Sequence, residues 1–398
     1  MEHMTEHESN SKTDSSASHP ASLPKRDYVL LPLLGLATIL FMLGASEILT
    51  RLIWTARGSN ACMDRNSMVG PRFKPNCTIR TKNAEGPWIT DHYNECGYRS
   101  ATSCGPKPLG TIRIAILGSS VSAGLNVPYE RTYFALISSE LSRIYHRPVD
   151  VQNLGVPASS PIYAYRRVGE ALALKPDVVL YFLTPFDVEL QIDPKELVER
   201  NNSTRTASTR AVHSTVSPMK WLDQFLIQSR TALVAQHFLF QNKNTYLRLY
   251  MTSYGDKADF LRQPFTHAWQ QRFADLDLVI GDMATKLHAA GVPLVVIPVP
   301  SRAEAALLSS RPWPPHVDPF AFGRQIKMIA SKHGAGYVDL MEAFSRLPDS
   351  EQLFYVVDQH VTAEGQKVIA QNLSRKLQDG CVRAFSHSAL QQSIGRED

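Results

Sequence analysis

Residues 114–124, IAILGSSVSAG, join an apolar and partly β-branched run to a glycine, a pair of serines and further small residues. A strand that ends in a sharp turn presents side chains at the carboxyl edge of a sheet, where open α/β sheets place their chemistry. The same arrangement keeps a nucleophilic serine accessible. The stretch therefore predicts a strand that ends near Gly118, and it makes Ser120 the candidate nucleophile.

Further apolar runs alternate with segments of helical spacing along the chain. Continuous apolar runs bounded by turn residues are typical of strands in a parallel sheet that is covered on both faces. The alternation predicts a three-layer α/β/α sandwich with a parallel sheet of about five strands. The predicted strands are 111–117, 149–154, 177–183, 293–299 and 336–340, and the predicted helices are 132–144, 162–174, 273–290, 322–333 and 362–377.

The composition is that of a globular protein with a substantial core: 398 residues, 43% hydrophobic and 20% charged. The net charge is only +5, and no dense basic patch is interleaved with aromatic residues, so nucleic acid is not an expected partner. Residues at about 191–270 interrupt the alternation and are interpreted as a helical insertion. That insertion is either a cap or lid over a site or an ordinary helical elaboration.

The N-terminal region contains a candidate membrane anchor. Residues 1–24 are polar and predicted to be disordered, because such a segment buries too little apolar surface to offset its ordering entropy. Every residue from Tyr28 to Ser46 is apolar or small, which is about the length that spans a hydrocarbon core. We expect an anchor at 25–54 that contacts the lipid bilayer through 28–49; a cleaved signal peptide and a buried helix are the alternatives.

Four cysteines cluster directly after the apolar span, within a loop-like extension at 55–109: Cys62, Cys77, Cys96 and Cys104. Such a cluster favours two disulfides and an oxidising compartment, with free thiols or a metal site as alternatives. The spacings lack paired CxxC units, so no metal site is expected. We therefore expect a single-pass protein with a cytoplasmic N-terminus and an extracytoplasmic, periplasmic globular part.

A base for Ser120 is available near the end of the chain. Serine is a weak nucleophile at neutral pH and needs an adjacent base. Asp358 and His360 lie in the loop before the last predicted helix, from which an imidazole can reach the carboxyl edge of the sheet. A nearby carboxylate can fix the tautomer of that imidazole. The pair therefore predicts a base and its orienting acid; a hydrogen-bonded surface pair is the alternative.

Five short motifs resemble the blocks of the SGNH/GDSL hydrolase superfamily, membrane-anchored bacterial type. The segment 118–124, GSSVSAG, resembles the first block, which carries the nucleophile. The segments 153–157, NLGVP, and 176–179, PDVV, resemble the second block and the strand before the third. The segment 358–365, DQHVTAEG, resembles the last block, and 94–99, NECGYR, resembles an Asn-x-x-Gly-Phe/Tyr-Arg element upstream. The resemblance covers about 91–377 and implies a flavodoxin-like fold.

Three positions depart from the family pattern. Ser119 replaces the usual Asp before the nucleophile, which mainly braces the turn. In 184–187, TPFD, Phe186 occupies the position of an Asn that donates to the oxyanion, and a phenyl ring has no donor. Val357 stands where the family often has its Asp, although a spacing of two residues, as for Asp358, also occurs in related acetylesterases and acetyltransferases. Loss of one oxyanion donor typically lowers kcat by about 10²–10³-fold.

The resemblance implies an esterase or O-acyl transferase in which Ser120 attacks an acyl carbonyl and His360, oriented by Asp358, takes the proton. It needs no metal or cofactor. The implied site residues are Ser120, His360 and Asp358 for catalysis, the N–H groups of Ser120 and Gly155 for the oxyanion, and Asp187 and Asn153 in support. The turn at Ser120, the glycine at 155 and Asp187 as a strand-end cap each also have a purely structural interpretation.

Two functional hypotheses follow. The first is an extracytoplasmic, membrane-anchored serine esterase or acyltransferase, with an acyl ester or an acetylated glycan as substrate. The second is a catalytically inactive SGNH-like scaffold or binding module in an envelope-polysaccharide pathway, motivated by Phe186 and Ser119. In either case we expect the SGNH-like domain at 110–379, with the helical insertion inside it, and a polar tail at 380–398.

Overall fold

The computed structural model describes residues 24–65, 70–189, 229–381 and 385. The chain divides between Leu49 and Thr50 into two compact units. The predicted tails 1–24 and 380–398 and the polar part of the insertion, up to residue 228, lie outside the described residues apart from a few edge positions. The domain boundaries drawn from the sequence stay predictions.

Nine strands occur in the described part of the chain. They are β1 Met63–Asp64, β2 Arg72–Phe73, β3 Thr78–Lys82, β4 Trp88–His92, β5 Ile112–Leu117, β6 Val149–Asn153, β7 Val178–Leu183, β8 Leu294–Pro298 and β9 Gly336–Tyr337. The last five form one parallel sheet in the order β6-β5-β7-β8-β9. This is the strand order of a doubly wound sheet. The strand after β5 in the chain, β6, lies on one side of β5, and the later strands β7, β8 and β9 lie on its other side, so the order reverses at β5.

Helices cover both faces of this sheet. The helices in the described residues are α1 Asp27–Ile53, α2 Tyr133–Tyr145, α3 Pro161–Arg166, α4 Val168–Ala173, α5 Pro185–Glu189, α6 Arg230–Gln241, α7 Lys243–Ser253, α8 His267–Ala289, α9 Arg302–Leu308, α10 Ala321–Lys332, α11 Met341–Ser345 and α12 Ala363–Lys376, and α1 is not one of those that cover the sheet. The predicted α/β/α sandwich with a five-stranded parallel sheet is therefore confirmed.

Each face of the sheet has its own hydrophobic core, because successive side chains of a strand point to opposite faces. On β5, Ile114 and Ile116 pack with α2 and α12, whereas Ala115 and Leu117 pack with α3, α4, α8 and α10. Every residue of β5 and β7 is buried. Burying one such aliphatic side chain contributes about 1.5–3 kcal/mol, so these two strands fix the position of whatever follows them.

The structure corrects three local expectations. The extension at 57–110 is not purely loop-like, because β1 pairs with β2 and β3 pairs with β4 as two antiparallel hairpins. The predicted helix 162–174 is two helices, α3 and α4, separated at Arg167. The predicted strand 336–340 pairs only over Gly336–Tyr337. The strands of the two hairpins and β9 are short, and pairing with a neighbouring strand decides them rather than local periodicity.

The extension contains two disulfides, Cys62–Cys77 and Cys96–Cys104, with Cα–Cα distances of 5.7 and 6.2 Å. The expectation of two disulfides is confirmed, and the structure adds the pairing. Among the described residues α1 alone is long and apolar enough to cross a membrane, by length and composition, and none of its residues is buried. It coincides with the predicted anchor; a signal sequence meets the same criterion.

Candidate active site

The turn after β5 places Ser120 at the carboxyl edge of the sheet. Gly118 adopts φ +140°, and a Cβ there would overlap the Phe182 carbonyl and lie 2.9 Å from Ser122 Oγ, so the turn requires glycine. Ser120 is partly exposed, and no described residue accepts a hydrogen bond from its backbone N–H. Since β5 lies where the strand order reverses, Ser120 faces the crevice in which doubly wound sheets bind ligands.

A continuous chain of hydrogen bonds joins the three residues that the sequence singled out. His360 Nε2 lies 2.8 Å from Ser120 Oγ, and His360 Nδ1 lies 2.7 Å from Asp358 Oδ1. The side chains of His360 and Asp358 are each 25% exposed, so the group is recessed but open to solvent. In this arrangement Nε2 can accept the proton of the hydroxyl while Nδ1 donates to the carboxylate.

The loop that carries Asp358 and His360 is held by local bonds on both sides. Gln359 adopts a left-handed φ of 64°, and the Tyr355 N–H donates to the His360 carbonyl at 2.9 Å. Immediately afterwards, the Thr362 hydroxyl accepts from the Gly365 N–H at 3.4 Å and caps α12. The cap and the tight turn together direct the imidazole toward the end of β5.

The pKa values of His360 and Asp358 shift in the directions that a base and its orienting acid require. Burial lowers the pKa of His360, but the hydrogen bond and charge of Asp358 and the charge of Asp187 outweigh burial and raise it above its ordinary value. Burial raises the pKa of Asp358, but the hydrogen bonds and charge of His360, with a bond from Asn83, hold it below its ordinary value. Asp358 therefore stays ionised wherever His360 titrates.

Asp187 is a buried carboxylic acid that acts on the site by charge. Its Oδ2 accepts from the Thr184 N–H at 2.7 Å and from the Thr184 hydroxyl at 3.0 Å, so it caps the end of β7. Burial raises its pKa to about 6, against the opposing effects of the Ser119 and Thr184 hydroxyls and of His360. Its Oδ1 has no hydrogen-bond partner among the described residues. The structure thus shows the capping function, and the charge of Asp187 is expected to raise the pKa of His360.

Asn153 and Gly155 brace the nucleophile turn. The Asn153 amide donates to the Ser122 carbonyl at 2.7 Å, and its Oδ1 accepts from the Gly155 N–H at 2.9 Å. Gly155 is not among the residues with positive φ; glycine is required there because a Cβ would overlap Ser122 Oγ. The Gly155 N–H is thus engaged with Asn153 in this state, and its role as an oxyanion donor stays a prediction.

Phe186 is the first aromatic residue after β7, in α5, and its side chain is 55% exposed. Single exposed apolar side chains are common at protein surfaces, so the exposure of Phe186 alone assigns it no function. The ring has no hydrogen-bond donor. The position at which the family has an oxyanion donor therefore offers an apolar surface in this protein.

Three residues that the sequence did not assign to the site support it. Arg99 is buried and donates to the carbonyls of Ala123 and Gly124 at 2.7 Å each, and it forms an ion pair with Asp91. The Asn126 amide donates to Asp358 Oδ1 at 2.9 Å. The signal for Arg99 was present in the 94–99 motif, whereas Asn126 and the third residue, Glu85, belong to no motif.

Glu85 lies in the turn between β3 and β4 and binds the loop that carries Asp358. Its carboxylate accepts from the N–H groups of Val357 and Asp358, at 3.0 and 2.9 Å for Oε2. Within the described ranges, no group of three or more His, Cys, Asp or Glu side chains is arranged to hold a metal ion. The chemistry that the described side chains offer is proton transfer around a serine hydroxyl.

Part of the chain is similar to a known protein family. Residues 260–396 match the family described as "ALGX: SGNH hydrolase-like domain, acetyltransferase AlgX". The match includes Asp358 and His360, whereas Ser120 and Gly155 lie before it. The match agrees with the SGNH-like resemblance of the sequence motifs over this part of the chain. No curated protein sequence is detectably similar to this chain.

Among solved structures, the chain is similar to TesA, with 14% identity, 67% of this chain and 98% of TesA covered, and a TM-score of 0.38. It is similar to the lipase/acylhydrolase from Enterococcus faecalis, with 14% identity, 67% and 96% covered, and a TM-score of 0.37. It is also similar to a catalytic mutant of the acetylxylan esterase Axe2 from Geobacillus stearothermophilus, with 14% identity, 68% and 96% covered, and a TM-score of 0.38.

Proposed function

We propose that this protein is a serine esterase or O-acyl transferase, anchored in a membrane by α1, whose globular part is extracytoplasmic. The observation that carries the proposal is the 2.8 Å contact between Ser120 Oγ and His360 Nε2, with Asp358 bonded to the other ring nitrogen. Nucleophile, base and orienting acid in hydrogen-bond contact are the arrangement that activates a serine hydroxyl. The two disulfides support an oxidising, periplasmic location.

The reaction balances in two acyl transfers. Ser120 Oγ forms a bond to the acyl carbon while its proton passes to His360 Nε2; the bond from that carbon to the leaving alkoxide then breaks, and His360 protonates the alkoxide. In the second step water or an acceptor hydroxyl attacks the acyl-serine, and His360 again carries the proton. Water gives hydrolysis, and a sugar hydroxyl gives transfer.

The substrate class that we propose is an acyl ester, in particular an acetyl group on a glycan. Two findings support it: the matched family is described as an acetyltransferase, and one structural neighbour is an acetylxylan esterase. The recessed but open position of His360 is compatible with an acyl group delivered on a bulky carrier. The free N–H of Ser120 is the first candidate for stabilising the oxyanion.

A fluorophosphonate probe tests the proposal on the full chain in detergent. We expect the wild-type protein and a Ser345→Ala control, which removes an exposed serine hydroxyl, to label, and Ser120→Ala not to label. In a separate assay, unlabelled wild-type protein should release acetate or form an acetylated acceptor from an acetyl ester, and protein treated with fluorophosphonate should not. A wild-type protein that does not label would overturn the proposal.

The second candidate function is an inactive SGNH-like binding module. It is favoured by two observations at the oxyanion side of the site: the exposed phenyl ring of Phe186 and the engagement of the Gly155 N–H with Asn153. If this candidate is right, glycan binding persists in Ser120→Ala while labelling is absent from the wild type. Labelling that is lost in Ser120→Ala excludes it.

A further inference from the structure

We propose that Glu85 is a positioning residue for the Asp358–His360 pair. It belongs to the disulfide-containing extension, yet it holds the backbone of the loop that carries both residues. The inference rests on the proposed function, because His360 needs positioning only if it serves as the base for Ser120.

The Glu85 carboxylate is buried, and both of its oxygens lie within hydrogen-bonding distance of nitrogen atoms. Its side chain is 3% exposed. Oε2 accepts from the N–H groups of Val357 and Asp358 at 3.0 and 2.9 Å, and Oε1 lies 3.1 Å from the Val357 nitrogen and 2.7 Å from His237 Nδ1. Two consecutive N–H groups donate to one carboxylate. Hydrogen bonds to a charged acceptor are stronger than hydrogen bonds between neutral groups. The loop is therefore tied to the β3–β4 turn through its backbone.

Arg302 holds the same loop from the opposite side. Its guanidinium is buried, and Nη1 donates to the Val356 carbonyl at 2.8 Å. That carbonyl and the N–H of Val357 belong to one peptide group, which is planar. Glu85 and Arg302 therefore hold the two ends of a single rigid unit, and rotation of that unit breaks a bond to a buried charge on each side.

Glu85 binds the backbone directly at Asp358, the residue that orients His360. The N–H of Asp358 binds Glu85 while its Oδ1 lies 2.7 Å from His360 Nδ1 and accepts from Asn126 at 2.9 Å. On the far side of Asp358, Gln359 accepts from the Tyr246 hydroxyl at 3.0 Å. Loss of Glu85 frees the peptide before Asp358, and the carboxylate can then rotate away from the imidazole.

A neutral amide at position 85 cannot replace the carboxylate. Its one acceptor oxygen could take the place of Oε2, but the bonds from the two N–H groups would then lose the charge of the carboxylate. Its NH₂ group would stand in the place of Oε1, beside the Val357 N–H and His237 Nδ1. The other ionisable groups near these residues remain in place in such a variant: His237 and Arg302 face Glu85, and Asp187 acts on His360 by its charge. Glu85→Gln also removes a negative charge, which by itself lowers the pKa of His360, so Glu85→Asp, which keeps the charge but shortens its reach, separates a change in the geometry of Asp358 from a loss of charge.

The decisive experiment is an NMR titration of the full chain in detergent with ¹³C-labelled histidine, in which the His360 signal is assigned by its loss in His360→Gln. We expect a lower pKa of His360 in Glu85→Gln than in the wild type, because its bond to Asp358 is weakened. The control Glu140→Gln removes a surface carboxylate that pairs with Arg143 on α2, and it should titrate as the wild type does. Identical titration of His360 in Glu85→Gln and the wild type would overturn the proposal.

Kinetics supply the second readout. For hydrolysis of a soluble acetyl ester, Glu85→Gln should lower kcat by roughly 10–100-fold with KM unchanged, since misplacement of a catalytic group acts on the chemical step. A lower melting temperature with unchanged kcat would show a merely structural role and contradict the proposal. Should Glu85→Gln fail to fold, Glu85→Asp keeps the charge but shortens its reach, and the same lowering of the pKa of His360 is expected.

The two proposals fail in different ways. A wild-type protein that neither labels with fluorophosphonate nor cleaves esters refutes the proposed function. The NMR titration does not need turnover, so it still decides whether Glu85 determines the contact between Asp358 and His360.

Discussion

Gly155 packs so closely against Ser122 that any Cβ at position 155 would overlap Ser122 Oγ and lie 2.8 Å from the Ala123 nitrogen. These atoms belong to the turn that carries Ser120, so two strands that are adjacent in the sheet leave no room for a methyl group between their following turns. A shift of the turn after β6 would therefore also displace the turn that carries Ser120.

Gly155→Ala should displace the nucleophile turn. We expect a loss of about 1–3 kcal/mol in the free energy of unfolding, as for overpacking elsewhere, and a strong loss of ester hydrolysis. Chemical denaturation and initial rates on an acetyl ester measure the two effects. Gly169→Ala is the matched control, because nothing lies within 4 Å of a Cβ there in α4. It should gain about 0.5–1 kcal/mol and keep its activity.

Asp358→Asn should leave the fold intact and lower kcat by about 10²–10⁴-fold, because an amide no longer fixes the tautomer and charge of the imidazole. Single-turnover acylation of Ser120 measures the change directly. Asp256→Asn removes an exposed carboxylate that pairs with Arg272 and should behave as the wild type. Equal rates in Asp358→Asn and the wild type would show that His360 does not depend on its hydrogen bond to Asp358.

The pH profile of kcat/KM should have an acid limb set by His360. The neutral imidazole is the base, so activity falls as the pH decreases through the pKa of His360, which lies above the ordinary histidine value. Asp187→Asn removes a negative charge that raises this pKa, so the acid limb should move to lower pH. Rates measured from pH 5 to pH 9 test the shift; an unmoved limb would contradict electrostatic coupling between Asp187 and His360.

Phe186→Asn restores the side-chain type that the family uses to bind the oxyanion. If that amide reaches the site, kcat should rise by up to about 10²–10³-fold, the usual value of one oxyanion donor. Phe238→Asn, which removes another exposed phenyl ring, is the control and should not change kcat. A loss of activity in Phe186→Asn instead would assign the phenyl ring to substrate binding.

Replacing both cysteines of the Cys62–Cys77 pair by serine should destabilise the extension. The pair is separated by 15 residues, and a loop of that size corresponds to about 3 kcal/mol in the chain-entropy account. Thermal unfolding with and without reductant measures the effect. Because Glu85 lies between this disulfide and the Cys96–Cys104 pair in sequence, a parallel loss of kcat is expected, and unchanged kcat would show that the β3–β4 turn keeps its place without the bridge.

Much of the architecture can be read from the sequence because it is encoded locally. Apolar runs that end at turn residues identify β5 and β7, and Gly118 marks the turn because only glycine tolerates its backbone angle and close packing. Turn chemistry and side-chain type are enough to identify Ser120, Asp358 and His360 as candidate site residues. Each of these signals lies within a few residues of the feature that it predicts.

The sequence by itself determined the parallel sheet, the order of its motifs and the three residues at the centre of the site. Only the tertiary structure decided which cysteines pair, that the Gly155 N–H is engaged by Asn153, and that Glu85 and Arg302 both bind the Val356–Val357 peptide. Glu85 and Arg302 are far in the chain from the loop that they bind, whereas Asn153 and Gly155, and the paired cysteines, are closer in sequence. All of these contacts depend on the path of the folded backbone and on the pairing of buried polar groups, so no local pattern in the sequence specifies them.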